Sequence, residues 1–297
     1  MKRVDLCLRI LSPIHIGTGK RDGNTYVAQT RPYVPGKTLW GAATSRVTRV
    51  LHDKPRGNDY AEVGSTLKES IKVSYLFPAD INEDHTTIYI NEYAIRNGRV
   101  TVSDQVLLGS MTSTSVCDGG AVDGTLHELR FIKHMLGHDG VSLRPLYLVG
   151  RIFLDESQET VCIHSNTLMY NDIPIFEGIR LGGERNYGFG RTECVSLVNT
   201  DFMRGVFPDN PESFSGIPID EEGKVLLPGH CQADPEHLTW TSGLPEMLLE
   251  RETNPNTGQS VLASRGLHIP PGRVLSNTSV RNWRMDDLGR FTLATDA

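Results

Sequence analysis

Leu181-Gly-Gly-Glu-Arg-Asn-Tyr-Gly-Phe-Gly-Arg191 places four glycines, two arginines and two aromatic residues in eleven positions. Glycine permits φ > 0 and lets main-chain N–H groups approach an anion. Arg185 and Arg191 bring charge suited to phosphate, while Tyr187 and Phe189 bring flat faces on which bases stack. Two readings of this stretch are open. Gly182, Gly183, Arg185, Asn186, Tyr187, Gly188, Phe189, Gly190 and Arg191 form a phosphate-holding loop, or they form a twisted connection between strands. A dinucleotide fingerprint is excluded, because Thr192 to Val198 reads as strand where that fold demands a helix.

Outward from this loop the pattern is that of an α+β protein. Val4, Leu6, Leu8 and Ile10 alternate with Asp5, Cys7 and Arg9, which predicts a half-buried strand over residues 3 to 12. A glycine turn follows in Leu11-Ser-Pro-Ile-His-Ile-Gly-Thr-Gly-Lys20. Lys37 to Leu51 then places Leu39, Ala43, Val47, Val50 and Leu51 on one helical face, with Arg46 and Arg49 on a neighbouring one. Strand, glycine loop and helix open a β-α-β unit whose loop and helix N-terminus suit an anion. Thr86–Ile90 and Arg99–Val102 are predicted to pair through Asn97-Gly98. The polar stretch from Leu108 to Thr125 reads as a flexible finger. Pro145 to Leu154 is apolar on both faces, as a central strand is. Past Asp201 the composition shifts to Pro, Gly, Asp and Glu, which divides the chain into residues 1–200 and an irregular C-terminal extension, 201–297. Within the extension, Leu244 to Arg251 is predicted as a short helix, and Trp283 is expected to pack back onto the N-terminal body.

The net charge of −6 hides an asymmetry. Residues 1–56 hold eleven Lys and Arg against three acidic residues, a local +8, so the remaining 241 residues carry −14. An electropositive N-terminal face is expected. Five scattered cysteines, none in a C-x-x-C arrangement, argue against a disulfide framework and a zinc site. Apolar runs fall short of the roughly 18 residues of a membrane span, so a soluble, cytoplasmic protein is expected. Gly36-Lys37-Thr38 is not a Walker A loop, since Arg31 stands where its first glycine belongs. His134 and His138 share a helical spacing, but Gly137 interrupts it, and no metal is assigned there.

The three spaced motifs SPIHIGTG, YVPGKTLWGA and GGERNYGFGR, over residues 4 to 198, resemble the RAMP superfamily of CRISPR-associated proteins. That resemblance implies a ferredoxin-like, RRM-like fold and a guide-RNA-binding subunit of a type III effector, most like the subunit that caps the 5′ handle, especially of the III-D type. It implies as partners crRNA, target RNA, the RAMP backbone subunits and the large polymerase-like subunit, with no cofactor. Gly17, Gly19, Lys20, Arg21 and Lys37 would line one side of the RNA path, and residues 182–191 the other. Arg46 and Arg49 would add longer-range charge. Glu184 puts an anion inside the loop, to be neutralised by Arg185 or Arg191. The superfamily offers two catalytic alternatives: Asp22 cutting target RNA with a divalent ion such as Mg²⁺, and His15 processing the repeat. Neither has a partner residue in the sequence to complete a metal site or an acid–base couple, and both are read as non-catalytic.

Overall fold

The computed structural model describes residues 1–297 except 19–26, 84–85, 138–141, 166, 197–199, 234–237, 241–243, 254–259, 277–281 and 295–297. The architecture is α+β, with largely antiparallel sheets and two α-helices among the described residues. Its main sheet runs Thr192–Cys194, β1 (Lys2–Ile10), Tyr147–Leu154, Phe77–Ile81, Thr86–Ile90, Tyr93–Arg96 and Arg99–Val102, all neighbours antiparallel. β1 and Phe77–Ile81 run the same way with Tyr147–Leu154 between them, the split β-α-β of a ferredoxin-like sheet.

The crossover is a helical hairpin, α1 (Gly36–Leu51) and α2 (Gly57–Ser70), of which only α1 is foreseen in the sequence. The Asp59 carboxylate accepts the Arg56 N–H at 2.6 Å and starts α2. Leu39, Ala43 and Val47 are buried as the periodicity requires, but Val50 and Leu51 are exposed, because the last turn of α1 overhangs the sheet. Where a second crossover helix would stand, a three-stranded meander (Val161–His164, Thr167–Tyr170, Ile173–Pro174) covers the same face, so there is one β-α-β module.

Alternation along the strands divides the core in two. Leu6, Leu8, Ile10, Leu148, Ile152 and Leu154 face the helices and the meander. Cys7, Val149, Phe153, Phe77, Ile88 and Ile95 face the other way, against Met203, Val206, Phe207, Phe214, Trp283 and Phe291. The C-terminal residues thus roof the second face of the sheet, and Trp283 is buried there as expected. Arg151, buried in the middle of the central strand, anchors the roof. It donates to Asp5 at 2.6 Å, to Asp209 at 2.7 Å and to the Pro208 carbonyl at 3.0 Å.

Three local expectations are corrected. Leu244 to Arg251 is not helical: Glu246–Thr253 is a strand paired with Ser260–Ile269 in a five-stranded sheet. Thr86–Ile90 does not pair with Arg99–Val102, because Tyr93–Arg96 intervenes and takes the Asn97-Gly98 turn, both of whose φ angles are positive. Leu108–Ser113 is a strand against His127–Ile132, with a small hairpin, Val116–Cys117 and Gly120–Ala121, at the tip.

Candidate nucleic-acid interface

The two glycine segments, 179 residues apart at Ser12 and Arg191, form one surface. The Gly183 N–H donates to His15 O at 2.9 Å, the Gly190 N–H to Pro13 O at 2.8 Å, the Leu11 N–H to Arg191 O at 2.9 Å, and the Arg191 N–H to Ser12 Oγ at 3.0 Å. Gly182 (φ 79°) is required by this docking, since a Cβ would overlap the carbonyl oxygen of His15, and Gly190 (φ 85°) by the closure of the loop on itself, since a Cβ would overlap the carbonyl oxygen of Leu181. Those glycines therefore serve backbone-to-backbone contact, and many of the loop's N–H groups are already committed to protein acceptors. Arg185–Tyr187 forms a short 3₁₀ turn that presents Tyr187 to solvent, 54% exposed. Phe189 is instead buried edge-on against Phe131, with ring centroids 5.5 Å apart, so one aromatic of the pair is left for stacking.

His15 sits at the junction, buried to 8% exposure. Its Nδ1 lies 2.7 Å from the Arg130 carbonyl oxygen, an acceptor only, so the Nδ1–H donates to it and Nε2 lies toward Gly17. Gly19, Lys20, Arg21 and Asp22 lie outside the described residues, as does His138.

The cations divide into two groups at opposite ends of α1. At its start, the Lys37 ammonium is 3.7 Å from Glu250 and 3.6 Å from Glu252. Its pKa is lowered by burial, against the opposing pull of Glu250, with Arg265 and Arg290 adding to the fall. The Leu288 carbonyl covers the N-terminus of α1 at Gly36, where a Cβ would overlap it. That end of the helix is closed, against the expectation of an anion site. Arg46 and Arg49 lie roughly 14 and 18 Å further along the axis at ~1.5 Å per residue, beside the segment that enters the glycine-rich loop: Arg46 Nε donates to Glu177 O at 2.9 Å. Arg185 turns to the carbonyls of Gly182 (3.1 Å) and Arg180 (3.0 Å), and does not pair with Glu184. Burial, then the charges of Arg49 and Arg180, lower its pKa. Arg180 and Arg191 also line a groove of about 1150 Å³ beside Lys2, Glu193 and Cys194.

The +8 of the first 56 residues is largely answered in space. Lys2, Arg3, Arg9, Arg31 and Lys37 meet Glu156, Asp209, Glu193, Glu246 and Glu250. A sequence window sees only its own charges, and the acidic remainder of the chain folds onto it.

A buried polar network missed in the sequence lies behind the glycine turn. Arg31 ion-pairs with Glu246 and donates to Tyr33 Oη at 3.0 Å. His230 Nε2–H donates to Glu246 at 2.9 Å, and its Nδ1 accepts the Tyr75 hydroxyl at 2.8 Å. Burial lowers the His230 pKa to about 4. Burial alone would raise the Glu246 pKa, but the His230 hydrogen bond and Arg31 bring it to about 2. Arg31 N–H also holds Ile16 O at 2.8 Å, which ties this network to the glycine turn. The members lie up to 215 residues apart, with no local pattern to reveal them.

No protein-family model matches the chain, and no characterised protein matches it by sequence. Solved structures do. The chain is similar to chains of type III-B Cmr-beta complexes. With the complex bound to cognate target RNA and AMPPnP the identity is 11%, the TM-score 0.46, and the match covers 94% of this chain and 87% of that one. With the complex bound to cognate target RNA the identity is 10% and the TM-score 0.40, over 65% and 96% of the two chains. With the apo state they are 9% and 0.37, over 66% and 98%.

Proposed function

We propose that this chain is a non-catalytic RAMP subunit that holds guide RNA in a type III CRISPR ribonucleoprotein, the kind of assembly to which the chains above belong. One observation carries the reading: the motifs at 12–17 and 181–191 are docked side by side, with an exposed tyrosine and, among the described residues, arginines without an ion pair at their margin. Such a surface offers a single strand both backbone charge and a stacking platform. The exposed Tyr187 stacks a base, Arg185 and Arg191 contact phosphates, and the residues around Gly17 complete the path. His15 contacts RNA rather than moving a proton, since among the described residues no second titratable side chain is hydrogen-bonded to the ring.

The complex incubated with labelled guide precursor and with complementary target RNA, with and without chelator, tests this. Asp22→Ala and His15→Ala are expected to leave repeat processing and target cutting within about threefold of wild type, under ~1 kcal/mol on the barrier. Loss of a single target-cleavage site in Asp22→Ala, or of precursor processing in His15→Ala, contradicts the non-catalytic assignment.

A further inference from the structure

Arg180 lies one residue before the motif that marks the glycine-rich loop, and the fold gives it company that the sequence does not show. It gathers with Arg185, Arg46 and Arg49 where the second half of α1 meets residues 177–185. Many arginines of the molecule meet carboxylates: Arg31 with Glu246, Arg144 with Asp80, Arg151 with Asp5, Arg265 with Glu250, Arg290 with Asp286. Among the described residues these four do not, and unlike Arg56, Arg96 and Arg99, which also lack an ion pair, they lie together. Arg46 and Arg185 are held by main-chain carbonyls and Arg49 Nε donates to the Tyr60 hydroxyl at 3.4 Å, so three of the four positive charges are oriented by neutral acceptors, and none is ion-paired among the described residues. Like charges assembled without a counter-ion repel one another, and Arg185 is in addition partly desolvated. An arrangement that raises the energy of the free protein in this way is made good when an anion arrives. Guanidinium groups tethered on one edge keep their remaining N–H donors free for the bidentate geometry that phosphate oxygens match.

We infer that Arg46, Arg49, Arg180 and Arg185 form a direct binding site for the backbone phosphates of a single RNA strand. The inference rests on the RNA-binding reading above and replaces the long-range role expected for Arg46 and Arg49. An acidic segment of a neighbouring subunit is the competing occupant. RNA is favoured because Tyr187, two residues from Arg185, is exposed beside the cluster and gives a base a face on which to stack.

The test uses the full chain with Arg49→Gln and Arg180→Gln, neither of which removes an ion pair, and Arg99→Gln on the far edge strand as control. In low-salt chloride both cluster variants are expected to melt at a higher temperature than wild type, because repulsion is relieved. Inorganic phosphate at matched ionic strength is expected to stabilise wild type and Arg99→Gln but the cluster variants much less. Against single-stranded RNA, each cluster variant is expected to lose affinity several-fold and to flatten the salt dependence by up to ~0.7 log units per lost contact. Variants that melt lower than wild type and respond fully to phosphate show a structural role and overturn the site. Wild-type RNA affinity and slope in the variants, with wild type binding RNA, overturns this inference and leaves the RNA-binding reading standing. Failure of wild type to bind RNA, with an Arg180-dependent phosphate response, overturns that reading and RNA as the occupant together.

Discussion

At the scale of single residues, a glycine packed within the loop can be separated from a free one by magnitude. Gly188 has φ 81° with open space where its Cβ would lie, whereas Gly190 has φ 85° and no room beneath the Leu181 carbonyl. Gly188→Ala is expected to cost only the left-handed backbone term of about 1–2 kcal/mol. Gly190→Ala is expected to cost clearly more, because the two backbones must also separate. Equal losses in chemical denaturation of the two variants contradict the role of Gly190 in closing the loop. The buried network gives a second expectation, with a definite sign. His230 titrates near 4 when folded and near 6.5 when unfolded, so between those values the unfolded state binds more protons and stability falls as pH falls. Glu246, held at about 2 against an ordinary 4.5, adds a further loss only below about pH 4.5. Melting temperature is expected to hold above pH 7 and decline from about 6.5 downward. His230→Gln, less stable at neutral pH, is expected to flatten the upper part of that decline; an unchanged profile in the variant contradicts it.

At the scale of elements, Arg185 and Arg191 stand at either end of the solvent-facing part of the glycine-rich loop. Replacing both by Ala is expected to weaken guide RNA binding and to flatten its salt dependence by up to ~0.7 log units per lost phosphate contact. A folded double variant with wild-type affinity and slope contradicts the assignment. This loop, β1, α1 and the central strand were legible because each carries its own local signature: glycine spacing, period two, period 3.6, or an unbroken apolar run. Arg151 was hidden inside that apolar run, where its burial is tolerated only because Asp5 and Asp209 arrive from distant segments. Leu244 to Arg251 looked helical behind Pro245 because so short a segment, with only Met247, Leu248 and Leu249 apolar in a row after the proline, has no period to settle the matter, and the partner strand Ser260–Ile269 decided it. Lys37 read as an RNA contact because its neighbours Glu250 and Glu252 lie more than 200 residues away.

At the scale of the whole molecule, residues beyond 200 cover the second face of the sheet, including Phe77, Val149 and Phe153, each at most 1% exposed. Each such side chain contributes about 1.5–3 kcal/mol through its burial, so these three alone are comparable with the roughly 5–15 kcal/mol by which domains of this kind are stable. A chain ending at residue 200 is therefore expected to be insoluble or to bind hydrophobic dyes strongly; a monomeric, cooperatively melting fragment contradicts the roofing role. Acidic C-terminal residues also pair with Arg3, Arg31 and Lys37 of the basic N-terminus, whereas Arg185 and Arg191, at the margin of the paired glycine segments, have no ion pair among the described residues. RNA is expected to run along that margin and nowhere on the paired strands Glu246–Thr253 and Ser260–Ile269. Photocrosslinking of 4-thiouridine-labelled guide RNA to the assembled complex, with the adducts mapped by mass spectrometry, tests this most directly. The expected result is adducts on Tyr187 and within residues 12–18, reduced by Arg185→Ala with Arg191→Ala. Adducts confined to residues 246–269, with none on the glycine segments, contradict it.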